Sequence, residues 1–309
     1  MDKREKMLAL IDPSREIGLE IGPLDIPIVP REMGKVRYVD HASTKELKVK
    51  NRENPFVEVD RIVEVDYVWG AKSLPELVGD EAPFDYVVAS HVIEHVPDLV
   101  GWLGEIGAIL RPGGVLSLAI PDKRFCFDYF RQPTTAADVL EAFLRRDRTP
   151  GFRQIFDHLV TFATLDGALT WGAGSTGTPS RKMTTRQAWD IARGASTDGT
   201  YHDVHCWVFT PATFFQVLAT LIELDLFAFR VAAFFPPTGH EFFVSLRTLE
   251  IFEDREKVRA AQLESLPTLD QEATNAGVGS GQQLVSLVLR YLRRSQAVAR
   301  RVLSCRTRA

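Results

Sequence analysis

Cysteine is scarce in this chain. Among 309 residues only Cys126, Cys206 and Cys305 carry a thiol, and no two form a CxxC pair. Such isolated thiols argue for a reducing compartment and against a structural zinc knuckle. Long apolar runs are missing as well. No uncharged stretch approaches the roughly 18–20 residues of a membrane-spanning helix, and the charged N-terminal segment MDKREKMLALIDPSRE lacks a signal-peptide core. A basic excess is also absent: 37 Lys and Arg stand against 41 Asp and Glu, a formal charge of −4. No global positive field would draw in a phosphate backbone, so nucleic acid is disfavoured as substrate. The expectation is a soluble, cytoplasmic protein. Its 45% hydrophobic content is enough for a sizeable core.

The mild net charge conceals an asymmetry. Residues 282–309 hold seven Arg and no acid, so the preceding body sums to −11. Gln282 to Val302 reads as one helix with an apolar stripe through Leu284, Leu287, Tyr291, Val298 and Val302. Packing on the acidic body or in a homodimer suits it best, and peripheral membrane contact is the alternative.

Before that tail, hydrophobic patterning alternates between strand and helix. Strands are expected at 18–22, 36–40, 60–68, 84–90 and 114–122. The run FDYVVAS, without alternation, fits burial on both faces of a parallel sheet. Residues 97–110 carry a helical period, with Pro97 in the first turn. TPATFFQVLATLIELDL, 210–226, is a helix capped by Thr210 with Pro211 first. Two further strands close the pattern, before and after Pro236-Pro237-Thr238-Gly239. The order implies a doubly wound α/β sheet with its pocket at the carboxyl ends of the strands.

Between them the α/β rhythm stops. Helices are expected in ADVLEAFLRRD and FRQIFDHLVTFATLDGAL, and a ligand-covering loop at 172–187. The division is therefore 1–122 and 208–249 for the α/β core, 123–207 for an inserted, mainly helical substrate or lid subdomain, and 250–309 for a helical extension with the basic tail.

Several residues carry chemistry. Gly22 permits a tight turn after the first strand, and Glu20 sets a carboxylate just before it. Asp40, eighteen residues beyond Gly22 and at the end of the next strand, suits a ribose diol. No G-x-G-x-x-G accompanies them, which argues against a nicotinamide dinucleotide.

With LEIG at 19–22, YVD at 38–40, FDYVVASHVIEHVPD at 84–98 and LRPGGVLSLAIPD at 110–122, the chain resembles the class I S-adenosylmethionine-dependent methyltransferases. The resemblance covers roughly 15–122 and, more faintly, 208–248, and it extends to methyltransferase-like proteins found beside bacterial sugar and polysaccharide enzymes. It implies a Rossmann-like, largely parallel seven-stranded sheet and S-adenosyl-L-methionine as cofactor. Glu20, Gly22 and Leu24 would line the methionine part, Asp40 the ribose, and Asp66 with Tyr67, after the third strand, the adenine. Ser90 and His91 would close the pocket. The departure is Pro23, Pro27 and Pro30, which leave room for at most one helical turn before Val36.

His91-Val92-Ile93-Glu94-His95 matches the inverted zincin signature H-x-x-E-H, but it directly follows a buried strand where that signature needs a helix. Tyr201-His202-Asp203-Val204-His205 has metal-compatible spacing with Asp157 or His158, though it makes better sense as a wall against a polyhydroxylated substrate. No metal is assigned. A hydroxyl nucleophile favours a histidine base, and the candidates are His91, His158 and His202, with Asp157 as orienter. The expected function is O-methylation of a small or sugar-like acceptor by direct displacement. The alternatives are a non-catalytic binding or assembly protein of the same fold, or an enzyme that uses S-adenosylmethionine for another reaction.

Overall fold

The structure is a computed structural model that describes residues 1–249 and 254–269. The basic tail, with its proposed helix and its dimer or membrane contact, lies outside the described residues.

A short helix, α1 (Lys3–Met7), precedes strand β1 (Ile17–Ile21), followed by β2 (Lys35–Asp40), helix α2 (Thr44–Lys50), β3 (Tyr67–Val68), helix α3 (Leu74–Val78), β4 (Phe84–Ser90), helix α4 (Leu99–Ile109) and β5 (Leu110–Pro121). The insertion contributes helices α5 (Ala136–Arg145) and α6 (Phe152–Thr161), the small hairpin β6 (Ala163–Thr164) and β7 (Ser180–Arg181), and helix α7 (Thr185–Asp198). Helix α8 (Pro211–Glu223), β8 (Phe229–Thr238), β9 (Glu241–Thr248) and α9 (Arg255–Glu264) complete the described chain.

The seven large strands form one sheet in the order β3-β2-β1-β4-β5-β9-β8. Strands β1 to β5 run parallel, whereas β9 pairs antiparallel with β5 and with β8. The strand order reverses between β1 and β4, and in open α/β sheets that crevice is where ligands bind. At its heart β4 buries Phe84, Tyr86, Val87, Val88 and Ala89 completely, because both faces of the strand are covered. Gly18 belongs to that packing: a Cβ there would stand 1.9 Å from the Tyr86 ring.

Three local results differ from the sequence pattern. The third strand is two residues long, so Asp66 precedes it and Tyr67 opens it, and neither follows it. Helix α4 is capped by Asp98, whose Oδ1 accepts from the Gly101 N–H at 2.8 Å, and Pro97 stays outside the helix. The loop expected over 172–187 is interrupted by β7 and then becomes α7, a 14-residue helix whose Ala188, Ala192 and Ala195 are buried. Small alanines there gave only a faint apolar stripe to read.

Between β1 and β2 no α-helix forms, and only one 3-10 turn occurs, at Arg31–Met33. In its place Ile28 and Val29 fill the core directly, against Met7, Ile11, Tyr38 and Tyr86. The three prolines explain this, since each removes a main-chain donor that a helix needs.

The insertion leaves and re-enters the core at one point. Lys123 N–H donates to the Phe209 carbonyl at 2.9 Å, and Thr134 N–H donates to that of Val208 at 2.9 Å. Residues Met1–Thr268 form a single compact unit that includes the insertion. Helix α9 secures the edge of the sheet: the Gln262 amide donates to the carbonyls of Phe227 and Phe229 at 2.7 and 2.8 Å.

Candidate active site

The carboxyl ends of β1, β2 and β4 converge on one edge of the sheet. Gly22 turns the chain there with φ +68°, its N–H bonded to the Val39 carbonyl at 2.8 Å. A Cβ at Gly22 would lie 3.1 Å from Val92, so the bare backbone is what keeps this turn open. Leu24 also takes a left-handed backbone, φ +47°, and its carbonyl accepts from Val63 N–H at 3.0 Å. Asp40 is buried at the end of β2, with Oδ1 engaged by the His41 main-chain N–H and by His41 Nδ1, each at 2.7 Å.

Glu20 faces inward. Its two oxygens accept from the N–H groups of Ile28 and Val29 at 2.6 and 2.8 Å, while the Tyr38 hydroxyl donates to the Val29 carbonyl at 2.8 Å. Burial raises this carboxyl to about 7, with the two N–H donors working in the opposite direction. The carboxylate therefore shapes the glycine loop from behind.

Asp66 is equally occupied. One oxygen accepts both from Tyr38 N–H and from Arg31, at 2.7 Å each. Tyr67 is raised to about 12 by burial and by its hydrogen bond to Glu81, which also holds Arg37 at 2.6 Å. At that edge the chain continues past β3 with Trp69, whose N–H donates to the Asp40 carbonyl at 2.7 Å.

Beyond β4 a chain of ionisable groups runs from α1 into the insertion. Ser90 ends the strand, and His91, with φ +55°, donates its N–H to the Ala119 carbonyl at 3.0 Å. Lys3 Nζ and His91 Nε2 both bond the same oxygen of Glu241, at 2.8 and 2.7 Å. The other ring nitrogen of His91 lies 3.3 Å from Glu94. Burial opposes the imidazolium, yet Glu241 and Glu94 outweigh it and raise His91 to about 9. At neutral pH His91 is thus a cation between two carboxylates, which disqualifies it as a base there.

Glu94 is wholly buried, and neither of its oxygens has a hydrogen-bond partner. Burial works against its charge, but His91, His205 and His95 prevail and hold its pKa below the ordinary value. His205 Nε2 lies 3.9 Å from Glu94, and its Nδ1 lies 2.5 Å from Asp128. Asp128, fully buried, also accepts from Arg131 at 3.1 Å, and Arg131 reaches Asp157 at 2.8 Å. His95 Nδ1 is bonded to Asp203 at 2.9 Å, and the rings of His95 and His205 meet edge to face.

The remaining candidates from the sequence sit around this group. His158 Nδ1 accepts the main-chain N–H of His205 at 3.3 Å, and burial drives its pKa down to about 3, so it stays neutral. Asp157 accepts from Arg131, and among the described residues it makes no hydrogen bond to a histidine. His202 is half-buried and makes no hydrogen bond among the described residues, while its neighbour His205 lies at the centre.

Asp128, Arg131 and Glu241 were not singled out from sequence at all. The first two had a signal: an acid and an arginine three apart within the aromatic run FCFDYFR. The expected helix of the zincin signature is absent, since residues 91–98 form turns.

An open, mostly parallel sheet whose first five strands are parallel and whose β9 is antiparallel, with a glycine turn after β1 and an acid ending β2, defines the class I methyltransferase fold. The family described as "Methyltransferase domain" matches residues 4–173. The chain belongs to that family. The uncrowded Gly22 turn and the buried Asp40 fit S-adenosylmethionine. A "Ubiquinone biosynthesis O-methyltransferase" of Paramagnetospirillum magneticum is 45% identical over 53 residues, 17% of this chain and 20% of that protein. A protein of the same description from Methylocella silvestris is 43% identical over 47 residues, 15% of this chain and 18% of the other. The chain thus spans about one fifth of the length of these curated relatives. Among solved structures, a putative S-adenosylmethionine-dependent methyltransferase from Listeria monocytogenes aligns at TM-score 0.40 and 12% identity, covering 80% of this chain and 96% of the other. One from Mesorhizobium loti aligns at 0.39 and 14%, covering 79% and 97%. Among the described residues no helix is long and apolar enough to cross a membrane.

Proposed function

We propose that this methyltransferase methylates a hydroxyl oxygen of a small, polar, sugar-like acceptor by direct displacement. The observation that carries this reading is Glu94: a buried carboxylate with no donor, flanked by His95 and His205, just beyond the carboxyl end of β4. A carboxylate buried without a hydrogen-bond donor, its ion partner His91 reaching one oxygen at 3.3 Å, calls for a further proton donor. An acceptor hydroxyl supplies the donor, and the surrounding imidazoles and carboxylates suit a polyhydroxylated molecule. The partial relatives described as O-methyltransferases agree with oxygen as the methylated atom.

The bound cofactor supplies an activated methyl on a sulfonium, so the chain's task is mainly alignment. Gly22 and Leu24 give the backbone that faces the methionine part, with Glu20 holding that loop in shape. Asp40 takes the ribose hydroxyls, and the edge beside Tyr67, past Asp66, borders the adenine. Ser90 and His91 separate cofactor from acceptor. His91, fixed as a cation, neutralises Glu94 and Glu241. As the acceptor oxygen takes the methyl, its proton passes to the Glu94–His95–His205 group. Asp128 and Arg131, steadied by Asp157, set the His205 ring, and His158 holds its main chain. Helices of the insertion enclose the acceptor.

Calorimetric titration with S-adenosylhomocysteine, followed by turnover with a panel of sugars and hydroxylated small molecules, tests the reading. Mass spectrometry should place one added methyl on an acceptor oxygen. Methylation of nitrogen or carbon would overturn the oxygen assignment, and cofactor binding without any methylated product would overturn the proposed reaction.

A further inference from the structure

We infer that Glu94, His95 and His205 bind one divalent cation of the zinc type at the acceptor end of the pocket. Each offers a ligand atom, and the three atoms lie within 4.8 Å of one another. Two imidazoles and one carboxylate are a recurrent donor set for zinc and related first-row ions.

The outer partners support it. His205 Nδ1 is held by Asp128 and His95 Nδ1 by Asp203, which leaves Nε2 of each ring for an ion. Metal-ligating histidines are oriented in this carboxylate-backed way. Glu94 adds an independent observation: both of its oxygens are buried and unpartnered, and a buried charge needs a counter-charge. His91 touches only one of those oxygens, at 3.3 Å, and does so without hydrogen-bond alignment.

Charge balance leaves room for an ion, since the cations beside Glu94 and Asp128, His91 and Arg131, are each shared with a further carboxylate, Glu241 and Asp157. The distances also suit small adjustment. His205 Nε2 and Glu94 are 3.9 Å apart, and ligands about 2.1 Å from a tetrahedral ion stand roughly 3.4 Å from each other. A second group, His91, His240 and Glu241, is also close enough to consider. It is the poorer site, because Lys3 and His91 already saturate the nearer oxygen of Glu241.

Three protein ligands leave a coordination position open, and an oxygen bound there loses its proton more readily. The ion's task therefore rests on the oxygen-methylation reading, whereas its binding does not.

Full-length protein stripped with a chelator should be titrated with Co²⁺ and followed by visible absorption. One equivalent should bind and show the bands of a four- or five-coordinate ion. Glu94→Gln and His95→Ala should each weaken uptake by at least about 100-fold, and Asp203→Asn by about 10–100-fold. Circular dichroism and S-adenosylhomocysteine affinity check that the variants fold; His95 is only partly buried and Asp203 is exposed, so those two variants keep the test decisive if Glu94→Gln does not fold. Absence of uptake by the wild type would overturn the site. So would uptake that survives His95→Ala but is lost in His240→Ala. A protein that binds Co²⁺ through these residues yet methylates nitrogen refutes the acceptor assignment alone.

Discussion

The carboxylate of Glu20 accepts the main-chain N–H of Val29 at 2.8 Å, nine residues along the chain. This bond, with its twin to Ile28, holds the proline-bearing loop where a helix would otherwise pack. Its electrostatics make a pH prediction. The folded carboxyl titrates near 7, above its ordinary value of 4.5, because it is buried. A raised carboxyl contributes stability that is fully present below about 4.5 and is lost as pH rises through 7. Over that window the wild type should lose up to about 3 kcal/mol relative to Glu20→Gln. Urea denaturation of both proteins from pH 4.5 to 8 checks it, and parallel slopes would refute the shifted titration. The glutamine amide also meets an N–H where an oxygen stood, so S-adenosylhomocysteine should bind about 10-fold more weakly.

Much of the sheet was legible because its strands are apolar on both faces. FDYVVAS and GLEIG have few other ways to bury that surface. The missing first helix was also legible, from three prolines in eight residues. What escaped was long-range polar pairing. Nothing in the local pattern says that His205 would meet Asp128 across 77 positions, or His91 meet Glu241 across 150. Sequence reasoning therefore chose His202 from a cluster in which tertiary packing chose its neighbour. Asp66 was misplaced for a different reason. The run DRIVEVDYV has strand composition, but Asp66 accepts from Tyr38 N–H and Arg31, and only Tyr67 and Val68 join the sheet.

Asp40 should decide cofactor affinity. It is buried at the end of β2, with Oδ1 committed to His41. Hydrogen bonds to a charged group contribute about 1.5–3 kcal/mol, so Asp40→Ala should weaken S-adenosylhomocysteine by about 10–100-fold. Calorimetry checks this, and melting of the ligand-free protein tells a lost contact from a damaged fold. An unchanged affinity would remove Asp40 from the ribose site.

His91 and Glu241 supply a second pH signature. Burial disfavours the imidazolium, but the two carboxylates raise His91 from 6.5 to about 9. A raised histidine contributes stability that is present below 6.5 and disappears as pH climbs through 9. His91→Gln should therefore cost about 2 kcal/mol at pH 6, discounted for the partial exposure of the ring, and almost nothing at pH 10. Thermal melts across that range are the measurement. A cost that stays constant with pH would mean that packing, and not charge, holds the ring.

Asp128 and Arg131 are buried together, at 3.1 Å. The acid lies far below its ordinary pKa: burial opposes ionisation, and His205 and Arg131 overcome it. Breaking such a pair strands a charge in the interior, which costs about 3–5 kcal/mol, whereas replacing both partners by apolar side chains is often close to neutral. Asp128→Asn should thus be strongly destabilising, and adding Arg131→Met should recover part of the loss. The same double variant should not recover turnover, because the His205 ring no longer has a carboxylate at Nδ1 to set it. Denaturation midpoints and kcat, measured on the two single variants and the double, separate the roles. Recovery of stability and activity together would show that Asp128 only neutralises Arg131; recovery of stability alone assigns it to positioning His205.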